Sequence, residues 1–235
     1  MERRYVQELL SYRVEGLIVL SYTIPSEELA ALPIPVVSIE REDRFISSVN
    51  TDNYMGAIQA TSLLAKHECD VFIHINTPVP KEIPAYDRIR GFQDFCTEHS
   101  LMHQIYLRDM GTSHATVSES MKQIFDEIET RYPSLRKGIF LSSDTHANEF
   151  LNLVIRKYKQ LPDTYKIVGF DDSPSAQEAV YSISTVGQQI DVIAQEAVCS
   201  LVRKINQKKD GDESFSDPEH KIVTPVLLRR ETTEL

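Results

Sequence analysis

The stretch GIFLSSDTHANEFLNLVIRKYKQLPDTYKIVGFDD, residues 138–172, decides the fold. It opens on an unbroken apolar run, short enough for a strand buried on both faces. Ser142, Ser143 and Asp144 follow, a polar set of the kind that starts a helix. Ala147, Phe150, Leu151, Val154, Ile155 and Tyr158 then recur at the i, i+3, i+4, i+7 spacing of a one-sided helix. A second apolar run at 167–170 ends in the acids Asp171 and Asp172. Strand, helix, strand in this order predicts parallel strands joined by a right-handed crossover.

The same alternation extends in both directions. Further strands are expected at 16–20, 36–39, 71–75, 105–107 and 222–228, with a shorter one at 47–49. Helical stripes are formed by Tyr54, Ile58, Thr61, Leu64 and Ala65, and by Val117, Met121, Ile124, Phe125 and Ile128. Ile190, Ile193, Ala194, Ala197, Leu201, Val202 and Ile205 form another. Asp52 stands before the first of these helices, and Ser173–Pro174 pairs a capping residue with a first-turn proline. Residues 76–84 hold three prolines and no period, which suits a connection between two lobes. Residues 207–217 are polar and read as a surface loop.

Bulk properties narrow the function. The chain has 235 residues, with 41% hydrophobic and 26% charged, an ordinary globular balance. A net charge of −10 argues against a sequence-independent grip on nucleic acid, which needs a basic face. Cys69, Cys96 and Cys199 show no CxxC spacing and read as reduced cytosolic thiols. The start, MERRYVQELL, has no apolar signal-peptide centre, and no run approaches the ~20 apolar residues needed to span a bilayer. The expectation is a cytoplasmic protein with no membrane partner. Nucleophile-elbow, dinucleotide and P-loop patterns are missing, and the seven histidines have no metal-ligand spacing. No catalytic residue, metal or cofactor is therefore assigned.

Ligands of parallel sheets bind beyond the carboxyl ends of the strands. The polar residues at those ends are Asn50, Thr51 and Asp52; Ser142, Ser143 and Asp144; and Asp171 and Asp172, with Arg88 near the start of the helix after 71–75. A carboxylate facing an arginine suits a polyhydroxylated ligand, because Asp accepts from hydroxyls and Arg donates in a fixed fork. Each residue also has a plain structural reading. Asp52 and Asp144 suit helix caps, and one of Asp171 and Asp172 suits a cap on the helix at Ser173. Arg88 suits a surface pair with Asp87 or Asp94. His146, two residues after Asp144, suits a helix surface.

Several segments, taken in order, resemble the effector-binding region of LacI/GalR (lac repressor/galactose repressor) transcription regulators. They are YRVEGLIVL (12–20), PIPVVSIER (33–41), VNTDNYMGAIQATSLLAKH (49–67), RIRGF (88–92), GIFLSSDTHA (138–147), LPDTYKIVGFDD (161–172), ISTVGQQIDVIAQEAV (183–198) and VLLRRETT (226–233). The resemblance implies an α/β, two-lobe, periplasmic-binding-protein-like fold of parallel sheets flanked by helices. It places one lobe at 1–76 plus 188–215 and the other at 77–187 plus 216–235. It implies no enzyme activity, but binding of a small-molecule effector of the sugar type, with lobe closure that alters DNA binding. Arg88, Asp171, Asp52, Ser143 and Gln188 are the ligand-binding residues it implies. It also implies a homodimer. Two departures stand out. Met110, Gly111 and Thr112 replace the aromatic ring that members often place before the next helix. The front matches neither the family's helix-turn-helix nor the first strand–helix–strand of its effector domain. The first lobe is accordingly expected to be incomplete, with exposed apolar surface, and DNA contact to come through a missing N-terminal segment. The alternative reading is a solute-binding protein of a sugar transporter; another is a phosphoacceptor using Asp171 and Asp172 with Mg²⁺.

Overall fold

A computed structural model describes residues 2–41 and 44–234. In chain order the elements are α1 (Glu2–Ser11), β1 (Leu17–Val19), α2 (Ser26–Ala30), β2 (Val36–Ile39), β3 (Ser47–Thr51) and α3 (Asn53–Ala65). Next come β4 (Val71–Asn76), α4 (Asp87–Glu98), β5 (His103–Leu107), α5 (His114–Arg131), β6 (Lys137–Leu141) and α6 (Asp144–Tyr158). The chain ends with β7 (Tyr165–Asp171), α7 (Pro174–Gln177), β8 (Ser184–Gly187), α8 (Ile190–Lys209), β9 (His220–Val223), β10 (Val226–Leu228) and α9 (Glu231–Glu234). They form two compact units. The first holds residues up to Asp52, Lys81–Pro84 and Gln189–Val223; the second holds Asn53–Pro80, Ala85–Gln188 and the residues from Thr224 on.

The first unit is built on a four-stranded sheet in the order β1-β2-β3-β9, with every pair parallel. Side chains alternate across it, as the pleat requires. Leu17 and Val36 meet Val6 of α1 and Leu29 of α2 on one face. Val37, Val49 and Val223 meet Ile193 and Ala197 of α8 on the other.

The second unit carries a six-stranded sheet, order β10-β8-β7-β6-β4-β5. Its pairs are parallel except β10 with β8. Every residue of β4 and β6 is buried, which explains why these strands read as continuous apolar runs rather than alternating ones. Ile73, Ile75, Ile139, Leu141 and Ile167 point to the face covered by α5 and α6. Phe72, Phe140, Val168 and Phe170 point to the face covered by α3 and α4. The last two helices approach closely at Gly91. A Cβ there would lie 2.6 Å from the Tyr54 carbonyl oxygen, so only glycine fits without a shift of backbone.

The structure corrects two expectations. The run at 222–228 is not one strand. β9 pairs with β3 in the first unit and β10 with β8 in the second, with Thr224 and Pro225 between them. Pro225 has no N–H to offer a ladder, which ends the pairing there. The division of the chain also differs. α3 and β4 belong to the second unit, where β4 lies between β5 and β6, and 216–223 belongs to the first unit through β9. β8, an additional strand at Ser184–Gly187, is short and half polar in sequence yet fully buried.

Candidate functional site

Parallel pairing aims the carboxyl ends of β4, β6, β7 and β8 to one edge of the six-stranded sheet. Arg88 comes to that edge from the first turn of α4 and is buried, 9% exposed, so the surface reading does not hold for it. It is Arg90 that pairs with Asp87, at 3.1 Å. The close approach at Gly91, one turn on, brings Arg88 to the start of α3. There its Nε donates to Asn53 Oδ1 at 2.7 Å, and its Nη1 donates to the Ser142 carbonyl at 2.6 Å, just past β6. Its guanidinium carbon sits 3.7 Å from the ring centroid of Phe170. Such a desolvated cation–π contact contributes on the order of 2 kcal/mol.

Asp171 lies beside this guanidinium, with Nη1 to Oδ1 at 3.6 Å. Gln188 Nε2, at the end of β8, donates to the same carboxylate oxygen at 2.7 Å. Three residues expected from sequence, Arg88, Asp171 and Gln188, are thus brought together. Asp171 has φ of 112° and Asp172 of 57°, both in the half of backbone space that favours glycine. Asp172 Oδ1 accepts from Arg230 Nη2 at 2.6 Å.

Ser143, rather than Asp144, takes the cap position. Ser143 caps α6, its Oγ accepting from the His146 amide, while Asp144 is the first residue of the helix and fully buried. Asp144 Oδ1 accepts from Thr185 Oγ1 at 2.6 Å, and Oδ2 accepts from the Ser173 amide at 2.7 Å. Burial pushes its pKa up to about 6. Gly169 makes room for it, since a Cβ there would lie 2.2 Å from Asp144 Oδ1. Asp52 is placed in the first unit, where its amide donates to the Val223 carbonyl at 2.9 Å.

Other titratable groups in the second unit have structural surroundings. His74 is wholly buried, stacked on Phe140 at 4.6 Å between centroids, and burial pushes its pKa down to about 3. Burial likewise lowers the pKa of His146 and pushes the Cys69 and Cys96 thiols up to about 12. Met110 is buried in the α5–α6 core. Among the described residues no group of three or more His, Cys, Asp or Glu could hold a metal ion. Among them, too, no helix is long and apolar enough to cross a membrane.

Sequence reasoning missed Asn53, Phe170 and Arg230. The first two were hidden inside an apolar-looking helix start and a strand. Arg230 stood in the quoted RRETT segment, whose two arginines were the available signal.

The fixed arginine and carboxylate stand beyond the strand ends, where parallel α/β sheets bind their ligands. Residues 61–233 match the model of the periplasmic binding protein-like domain, and the chain belongs to that family, in the branch of LacI-type effector domains. The ribose operon repressor of Halalkalibacterium halodurans is 30% identical over 234 residues, 99% of this chain and 68% of that protein. The sucrose operon repressor of Streptococcus mutans is 24% identical over 208 residues, 88% of this chain and 62% of that protein. The chain therefore spans about two thirds of the length of such relatives. A solved periplasmic binding protein/LacI transcriptional regulator from Alkaliphilus metalliredigens, complexed with D-xylulofuranose, is similar at a TM-score of 0.80 and 26% identity. That match covers 100% of this chain and 83% of the other.

Proposed function

We propose that this chain senses a small polyhydroxylated effector, a sugar, on behalf of a LacI-type transcription regulator. One observation carries the reading: a buried, locked guanidinium stands 3.6 Å from a carboxylate at the strand ends of the second unit. A sugar hydroxyl both donates and accepts, so neighbouring hydroxyls are matched by a donor fork and an acceptor held side by side. Arg88, Asp171 and Gln188 supply those groups, with Ser143 at the adjacent helix start. The names of the similar proteins support the class, being ribose and sucrose operon repressors and a regulator complexed with D-xylulofuranose.

Binding shifts a two-state equilibrium by no more than the effector's differential affinity for the two states. The regulator acts in the cytoplasm as a homodimer. DNA is gripped by a part of it other than these residues, in keeping with their net charge of −10. No catalytic step is assigned.

Titration calorimetry with D-ribose, D-xylulose and sucrose tests this. At least one sugar is expected to bind the wild type. Arg88→Ala and Asp171→Ala should each weaken it about 10- to 100-fold, the effect of losing hydrogen bonds to a charged group. No binding to the wild type, or equal binding to all three proteins, overturns the reading.

A further inference from the structure

The turn that presents Asp171 is held by side chains that do not themselves belong to the Arg88–Asp171 pair. Residues 171 and 172 both have positive φ, 112° and 57°, and neither is glycine. Such backbone is strained and persists only where the surroundings over-determine it. Here two grips are visible. Asp144, at the start of α6, takes the amide of Ser173, the residue that follows the turn, at 2.7 Å. It anchors the other end of its carboxylate on Thr185 of β8, at 2.6 Å. Arg230, after β10, takes Asp172 at 2.6 Å and the Ile183 carbonyl at 3.1 Å. The two grips come from elements far apart in sequence and close on the adjacent residues Asp172 and Ser173, directly after Asp171.

We infer that Asp144 and Arg230 are positioning residues, a pair of clamps that force the 171–173 turn into the conformation that sets the Asp171 carboxylate against Arg88. The inference rests on the effector-binding reading for its purpose, but its geometry stands without it. Asp144 is the informative member. Its work is done by two acceptor atoms, not by its charge. An asparagine in its place keeps an oxygen for the Ser173 amide and offers an NH₂ to Thr185, whose hydroxyl turns to accept. An alanine keeps neither.

The test uses Asp144→Ala, Asp144→Asn and Arg230→Ala in the full chain, with two readouts. The first is amide hydrogen exchange without any ligand. Peptides covering 169–178 are expected to exchange at least tenfold faster in the alanine variants, with those of β4 and α5 unchanged, and within twofold of wild type in Asp144→Asn. The second is D-ribose affinity. It is expected to fall at least tenfold in both alanine variants and to return within twofold in Asp144→Asn. Three results overturn the clamps: wild-type exchange at the turn in Asp144→Ala, faster exchange spread evenly over the second unit, or an asparagine variant as impaired as the alanine. If D-ribose does not bind the wild type, the choice of effector fails while the exchange data still decide the clamps.

Discussion

The two units solve the same packing problem at different scales. The second covers a six-stranded sheet on both faces, and its fully buried strands bury Phe, Ile and Val in quantity. The first has four strands of three to five residues and two small apolar clusters. It too ties loops to carbonyl oxygens with buried cations, as Arg88 and Lys137 do in the second unit. Arg41, 7% exposed, donates to Ser21 O, Ile24 O and Ser26 Oγ, each at 2.6 Å. Lys204 is buried and donates to Asp217 O at 2.6 Å. The lesson is that both sheets hold loops by polar stitches, and the units differ in the apolar area around those stitches.

The largest expected effect sharpens that contrast. Phe140→Ala, in the second unit, should cost about 3–5 kcal/mol, while Val49→Ala, in the middle of the first sheet, should cost about 2 kcal/mol. Urea unfolding of each variant measures both, and equal costs would break the comparison. Acid is next. His74 is held neutral in the fold, its pKa lowered from 6.5 to about 3 by burial. The unfolded chain takes up the proton first as pH falls. Stability from this group is therefore complete above pH 6.5 and lost as pH drops toward 3. The loss is on the order of 5 kcal/mol. Unfolding free energies across that range should flatten in His74→Phe. A smaller effect than that of Phe140→Ala belongs to the stitches: Arg41→Ala should cost about 2–3 kcal/mol, seen as faster exchange around 21–26 with the second unit unaffected.

Much of the fold was legible because buried parallel strands and one-sided helices have different periods. The segments from 138 to 172 became β6, α6 and β7 with boundaries close to those read from the pattern. The misses have physical causes. Residues 222–228 kept a strand-like composition across Pro225, and composition does not show that the ladder changes partner there. The boundary after 76 failed because β4 is equally apolar whichever sheet receives it. At the site, Arg88 and Asp171 were legible as chemistry at strand and helix ends. Their neighbours were not, since Asn53 lies 35 residues from Arg88 and Ser142 lies 54 away. Local sequence instead offered Asp87 and Asp94 as partners. Asp144 looked like a cap because its burial depends on Gly169 and Thr185, supplied by other strands.

Gly91 has a consequence for anyone who would redesign the specificity of this protein. The place of the Arg88 guanidinium is set by a hydrogen atom where every other residue has carbon. A combinatorial library that varies Arg88, Asp171 and Gln188 changes side chains on a fixed frame, but one that admits even alanine at 91 changes the ruler with which every other position is measured.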